Sequence, residues 1–371
     1  MKNIPFNKFT IQGKENEYIE KSIKSGQISG DNNFTILCNN FLKNKLKIKK
    51  AFLTTSCTHA LEMSALLLNI RPGDEIIVPS FTFVSTINAF ILRGAEPIFA
   101  DIRSDTLNID ESIIESLITE KTKAIIVVHY AGVGCEMDII MNISRKKNIP
   151  VIEDNAHGLF GKYKNRFLGT FGLFSTQSFH STKNFSCGEG GALLINDERY
   201  IKRAEIIREK GTNRSDFFRG EINKYNWVDI GSSFLPSDIL AAFLYGQLEK
   251  FKSIQAKRKR IWTKYYEELK DLERFKGFKL PQVPKYCKQS YHMFYLILPS
   301  LHVRNKFIKY LKSRGIHATF HYLPLHSSKM GKKYKSNSCP ITEKISNCIV
   351  RLPFFNDLDL SKMNFNVFYD F

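Results

Sequence analysis

Between residues 51 and 210, short apolar runs rich in β-branched residues take turns with stretches of helical pattern, and this alternation constrains the chain more than any other feature. AFLT (51–54) precedes THALEMSALLLNI, EIIV (75–78) precedes VSTINAFIL, and PIFA (97–100), AIIVV (124–128), PVIE (150–153) and ALLI (192–195) follow. Apolar runs of four or five residues with no polar position read as strands covered on both faces, and helical crossovers between them make the sheet mainly parallel. The pattern predicts an α/β fold with a mainly parallel sheet.

After Pro236 the pattern changes. One long helix is expected from a Ser237 cap to about residue 272, because no Pro or Gly interrupts the stretch after Gly246; Pro281 and Pro284 end it. A strand at 293–298 (MFYLIL), a helix from Val303 to Arg314, a second strand at 316–322 (IHATFHY) and a helix around Glu343 to Val350 then form a smaller α+β unit. The expected division is a large domain over 1–245 and a small C-terminal domain over 246–371, joined by the helix at about 237–272. Two domains suit 371 residues against a typical domain of ~150.

The charge raises a different possibility. Lys+Arg number 55 against 36 Asp+Glu, a formal net charge of +19, which would suit a polyanion. The basic residues are dispersed, however, and the clusters at 252–260 and 329–335 lack the interleaved aromatics of a base-stacking surface. Solvated helix faces explain them, so no nucleic-acid partner is expected, and the charge remains free to help recruit an anionic substrate. The longest apolar runs fall far short of the ~20 residues that span a bilayer, and the first residues hold no signal-peptide core. A cytoplasmic location with no membrane insertion is expected. Seven cysteines without CxxC or metal-ligand spacing predict reduced thiols and no metal site.

Ligands of an open α/β sheet gather at the carboxyl ends of its strands, and three features fall at such ends. Thr54-Thr55-Ser56-Cys57-Thr58 lies between a strand and a helix. Its free N–H groups and hydroxyls suit a phosphate, although a plain N-cap has the same composition. Glu153-Asp154-Asn155-Ala156-His157 follows the strand PVI. Adjacent buried acids require partners, which a protonated heterocyclic nitrogen or a capped turn would both supply, and His157 by itself reads as a hydrogen-bonded structural histidine. SFHSTKN (178–184) sets Lys183 among small and hydroxylated residues ahead of GEGG (188–191). Desolvated there, its amine is the neutral nucleophile that forms Schiff bases; solvated, it titrates near ~10.4 and is surface decoration. A phosphate cradle, an acid and a lysine at one sheet edge are together the three anchors of pyridoxal 5′-phosphate (PLP).

From about Pro5 to Phe355 the chain resembles the sugar-nucleotide aminotransferases of the aspartate-aminotransferase fold, PLP fold type I. The most specific stretches are TTSCTHALEM (54–63), PSFTFVST (79–86), VHYAG (128–132), SFHSTKN, GEGG, IREKGTNRSDFFRG (207–220) and DIGSSFLPSD (229–238). The resemblance implies that Lys183 is the Schiff-base lysine and proton carrier and that Asp154 partners the pyridinium nitrogen. It places His157, where relatives often have glutamine, near the phenolic oxygen, and stacks Phe83 on the ring. Cys57, Thr58 and Ser178 would hold the phosphate. It also implies a homodimer with shared sites, in which GTNR, with Arg214, and GSS, with Ser233, reach the partner's cofactor. Tyr322, Pro324 and His326, in HYLPLH, match a segment near the substrate, although a packed strand-to-loop junction explains them nearly as well.

Two departures bear on function. Cys57 stands where the family often has Gly, and Ser233 and Leu235 stand where it often has Asn and Arg. The GSS form is associated with the branch that aminates dTDP-4-keto-6-deoxyglucose with L-glutamate to give dTDP-4-amino-4,6-dideoxygalactose. The gluco epimer and a 3-amino sugar are the alternative products. Relatives that dehydrate sugars carry histidine in place of the lysine, which Lys183 opposes. A non-catalytic regulator would lack part of the constellation.

Overall fold

The computed structural model describes residues 3–335 and 337–371. Two helices, α1 (Glu15–Lys24) and α2 (Asn33–Leu46), precede the alternating region. That region runs β1 (Lys50–Thr54), α3 (Cys57–Leu67), β2 (Glu75–Pro79), α4 (Ser85–Ile91), β3 (Glu96–Ala100), α5 (Glu111–Leu117), β4 (Thr122–Val128), α6 (Met137–Lys147) and β5 (Val151–Asp154). A short hairpin, β6 (Lys162–Tyr163) and β7 (Arg166–Phe167), leads to β8 (Phe174–Ser178), β9 (Gly191–Ile195), α7 (Ile201–Arg208) and α8 (Arg214–Phe218).

Seven of these strands form one sheet in the order β1-β9-β8-β5-β4-β2-β3. Only β9 runs antiparallel to its neighbours, so the sheet is mainly parallel as the apolar runs predict. Successive side chains leave each strand on opposite faces. Ile76, Val78 and Ile126 accordingly pack under α3 and α4, whereas Ile77, Ile125 and Val127 pack against α6. Ala51, Leu53, Ala192 and Leu194 form a third core with α2 and with α9 (Asp238–Glu249).

One strand has no apolar signature. β8 reads FSTQS, yet Ser175, Thr176 and Gln177 are fully buried at the centre of the sheet. Its position is functional, because register brings three loops to one edge: Gly191 pairs with both Thr54 and Ser178, and Asp154 pairs with Thr176.

The expected single helix at 237–272 is instead two. Ser237 does cap α9, its hydroxyl accepting from the N–H of Leu240, but the chain breaks at Lys250 and restarts as α10 (Phe251–Leu269), followed by α11 (Leu272–Lys276). The break lets two apolar stripes face different cores. α9 packs against α1 so closely that a Cβ on Gly246 would fall 2.8 Å from the Glu15 nitrogen, while Ile261, Tyr265 and Leu269 of α10 enter the core of the small unit.

The small unit contains β10 (Cys287–Lys288, paired to β6), β11 (Tyr295–Ile297), α12 (Leu301–Ser313), α13 (Pro340–Cys348), β12 (Ile349–Arg351) and α14 (Asn366–Asp370). Two expectations fail here. The segment 316–322 is not a strand: it makes single bridges through Ile316 to Ile4 and through Thr319 to Arg351, because β12 is too short to extend the ladder. The helix expected to reach Val350 ends at Cys348, since Ile349, Val350 and Arg351 pair with β11. Asp101, just after β3, fixes α13 from the large unit by accepting from the N–H groups of Ile341 (2.9 Å) and Thr342 (2.8 Å). Among the described residues no helix is long and apolar enough to cross a membrane.

Candidate active site

A cleft of about 740 Å³ opens where the carboxyl edge of the sheet meets the small unit. Ser56, Cys57 and Thr58 form one wall. Ser56 caps α3 by accepting from the N–H of His59 (3.1 Å), which leaves the N–H groups of Cys57 and Thr58 without a protein acceptor among the described residues. Gly191 makes this approach possible, because a Cβ there would lie 2.3 Å from the Ser56 carbonyl carbon and 2.4 Å from the Cys57 nitrogen. Thr58 donates its hydroxyl to Ser85 (2.9 Å).

The adjacent acids have different fates. Glu153 is fully buried and internally satisfied: it accepts from the N–H groups of Gly169 (2.7 Å), Phe171 (2.6 Å) and Gly172 (2.7 Å) and pairs with His129 Nε2 (2.8 Å). Asp154 lines the cleft. It accepts from Thr86 Oγ1 (2.7 Å) and the N–H of Ala156 (3.2 Å) but forms no ion pair among the described residues. Burial pushes its carboxyl above the usual range, and the Thr86 hydrogen bond only partly offsets that. A carboxylate in this position lacks a cation.

Lys183 reaches the same cleft from the loop after β8. The loop is folded back on itself, with the Phe179 N–H on the Gly190 carbonyl (2.8 Å), the Ser181 N–H on the Gly188 carbonyl (2.8 Å) and the Lys183 N–H on the His180 carbonyl (2.9 Å). Desolvation lowers the ammonium from its ordinary value to about 8, against the opposing pull of Cys57 and Asp154.

Opposite these groups stands a stack of imidazoles. His157 lies 4.3 Å, centroid to centroid, from His292, which is fixed by Asn184 Oδ1 (2.9 Å), and 6.1 Å from His321, which is fixed by the Tyr130 hydroxyl (2.9 Å). Burial holds all three rings well below the ordinary histidine value, hence neutral. His157 Nδ1 is buried with no partner, and its Nε2 faces the Tyr322 hydroxyl at 3.4 Å.

The structure therefore brings Cys57, Thr58, Phe83, Asp154, His157, Ser178, Lys183 and Tyr322 to one cleft. Phe83, 56% exposed, stands with its centroid 6.2 Å from that of Tyr322. His326 is not among the residues that line the cleft: it is buried, with Nδ1 against Ser80 Oγ (2.6 Å) and Nε2 against Glu343 (3.0 Å), so it clips the loop after Tyr322 onto the end of β2 and α13. Pro324 is also outside. Within one chain Arg214 and Ser233 do not reach the cleft. Arg214 is exposed and bonded to Glu209 (3.3 Å); Ser233 is exposed, although the neighbouring Phe234 carbonyl accepts from the Thr55 N–H (3.1 Å) beside the cradle. Thr86, His292, His321 and Arg351 were not singled out from sequence. Thr86 closes the quoted stretch PSFTFVST, but His292 and Arg351 sit in ordinary-looking strand and loop sequence and carry no local signal.

The family model described as the DegT/DnrJ/EryC1/StrS aminotransferase family matches residues 10–365. An uncharacterized protein of Methanocaldococcus jannaschii is 35% identical over 331 residues, covering 86% of this chain and 85% of its own length. A Streptococcus pneumoniae protein described as a sugar aminotransferase, solved in its PLP form, superposes with a TM-score of 0.90 at 27% identity, covering 99% of this chain and 96% of that one. Helicobacter pylori PseC, an aminotransferase involved in the biosynthesis of pseudoaminic acid, superposes with a TM-score of 0.89 at 26% identity over the whole of both chains.

Proposed function

Because the chain belongs to the DegT/DnrJ/EryC1/StrS aminotransferase family, a PLP-dependent family of sugar aminotransferases, we propose that it transfers the amino group of L-glutamate to the 4-keto carbon of dTDP-4-keto-6-deoxyglucose, giving dTDP-4-amino-4,6-dideoxygalactose. The observation that carries this reading is the convergence on one cleft of three complementary vacancies in bonding: two free N–H groups, a carboxylate without a cation, and an amine that titrates near 8. Their chemistry fits the phosphate, the ring nitrogen and the aldehyde of PLP respectively.

When bound, PLP supplies an aldehyde that takes up the amino group and a ring that draws electrons from the reacting carbon. Cys57 and Thr58 would hold its phosphate through their N–H groups, with Ser178 adding a hydroxyl, and the N-terminus of α3 favours that negative charge. Asp154 would keep a proton on the ring nitrogen. Phe83 would cover the ring, and neutral His157 would lie near its phenolic oxygen. Lys183 Nζ takes the proton from the donor's α-carbon and, in the second half of the reaction, delivers one to sugar C4; an amine titrating near 8 can do both close to neutrality. The galacto configuration is supported by the GSS sequence at 231–233.

The site extends to a second copy in this reading. Phe218, Trp227 and Val228 are 69%, 79% and 51% exposed beside Arg214, an apolar surface suited to a homodimer whose partner receives that segment. The reading is tested by visible absorption of the purified protein with PLP. L-glutamate should bleach the band, the keto sugar should restore it, and proton couplings at sugar C4 should show the galacto product. A protein that stays colourless with PLP refutes the transaminase.

A further inference from the structure

The transaminase reading gives no task to Arg351, a charged side chain that lines the cleft. Arg351 ends β12, and its backbone is fixed on both sides: its N–H donates to the Thr319 carbonyl (2.7 Å), the Thr319 N–H donates back (3.1 Å), and the residue pairs with Tyr295 of β11. The guanidinium lies over the ring of Phe6, 4.8 Å from its centroid, and faces the cleft. Its Nε is buried without a hydrogen-bond partner, and no carboxylate among the described residues lies against it. Arg258, fully buried, donates to the carbonyls of Tyr291 (2.8 Å) and His292 (2.5 Å) and to Asn356 Oδ1 (2.7 Å); Arg208 and Arg304, like Arg351, keep buried N–H groups without partners among the described residues, but of these three Arg351 alone lines the cleft. An unpaired buried guanidinium is costly, so a held but unmatched one marks the place of an anion.

We propose that Arg351 receives the α-carboxylate of the amino-acid donor through paired N–H···O hydrogen bonds, an assignment that rests on the transaminase reading. The fork of a guanidinium matches a planar carboxylate. Position selects this anion over the diphosphate of the sugar nucleotide. A donor carries its carboxylate on the carbon that bears the amine, next to the atom Lys183 deprotonates, whereas the diphosphate is separated from sugar C4 by the sugar ring. Arg351 acts at the reacting end: after desolvation and the opposing effects of Cys57 and Asp154, its charge is among those that set the titration of Lys183. In the second half-reaction no charge adjoins the keto carbon, so the guanidinium has no matching anion there.

The test compares wild-type, Arg351→Ala and Arg351→Lys holoenzymes by rapid-mixing absorption in each half-reaction. The L-glutamate concentration for half-saturation should rise on the order of 30-fold or more in the Ala variant. The half-reaction with the amino sugar should change no more than about threefold, and added guanidinium ion should partly restore the response to glutamate. Spectral titration with 2-methylglutamate, which has the carboxylate but no α-proton, should show the same loss of binding without turnover. Ethanolamine, an amine lacking a carboxylate, should react equally with all three proteins. Unchanged glutamate saturation overturns the assignment, as does a loss confined to the sugar half-reaction, which would give Arg351 to the diphosphate. Wild-type holoenzyme that answers the amino sugar but no amino acid also overturns it while sparing the sugar chemistry; no response to either substrate refutes the transaminase itself.

Discussion

Glu153 and Asp154 are consecutive on β5 and leave it on opposite faces, one fully occupied by three backbone N–H groups and His129, the other facing the cleft with no cation. Glu153→Gln removes a charge around which the loop 169–172 is wrapped, and should destabilise the fold by roughly 2–4 kcal/mol. Asp154→Asn should do the reverse. A carboxyl raised by burial contributes instability that grows as pH rises through its folded value, so at neutral pH the apo variant should melt at or above the wild-type temperature while turnover falls on the order of 10²–10³-fold. Calorimetry of the apo proteins and steady-state rates of the holoenzymes check both halves.

Lys183 predicts a pH dependence of stability in the apoprotein. Its folded value of about 8 lies below the ordinary 10.5, so between these values the unfolded chain binds more protons and stability rises with pH. The cost of burying the charge is fully present below about pH 8 and amounts to roughly 3 kcal/mol. Lys183→Met should raise the melting temperature at pH 7 and flatten its increase towards pH 10, while abolishing turnover. The rate of PLP uptake by wild-type apoprotein should climb with pH and level off just above 8. A climb continuing to pH 10 would show that burial does not tune the amine.

At Gly191 an added methyl group meets backbone atoms of Ser56 and Cys57 within 2.5 Å, and neither side can rotate away. Gly191→Ala should displace the start of α3 and weaken PLP binding by an order of magnitude or more, while Asp154 and Lys183 remain in place. Equilibrium dialysis of PLP measures it; unaltered affinity would remove the phosphate from this cradle.

His326 separates a packing role from a substrate role. Losing its contacts with Ser80 and Glu343 in His326→Ala should lower stability by about 1–2 kcal/mol, with KM for the sugar nucleotide within a factor of three. A large KM increase at unchanged stability would return this histidine to the substrate.

Trp227, at 79% exposed, is the most accessible large apolar side chain of its surface. Trp227→Glu should yield a monomer in sedimentation velocity, with little loss of secondary structure by circular dichroism. A dimer that persists would place the contact elsewhere.

What could be read in the sequence follows from how local each signal is. Parallel strands buried on both faces announce themselves as unbroken apolar runs, so six of the seven strands of the main sheet were legible; β8 was not, because it buries Ser175, Thr176 and Gln177 where the pattern expects aliphatic residues. Asp154 and Lys183 were legible because each sits in a motif at a strand end. His292 and Arg351 were not, since they gain meaning only when the small unit closes over the sheet edge, a contact between positions more than 100 residues away from those motifs. The break at Lys250 was hidden for a related reason: either half of 237–272 is a good helix, and only the direction of the two cores separates them.

The cleft is built from two architecturally unlike parts of the fold. The cradle, Asp154 and Lys183 hang from the ends of a rigid sheet, whereas Tyr322, His321 and Arg351 come from a short ribbon and the irregular strip beside it. If the proposed roles hold, bond-making and partner choice rest on separate parts of the molecule, and mutation can drift through the ribbon and its strip, exchanging one amine donor or sugar for another, without touching the strand ends.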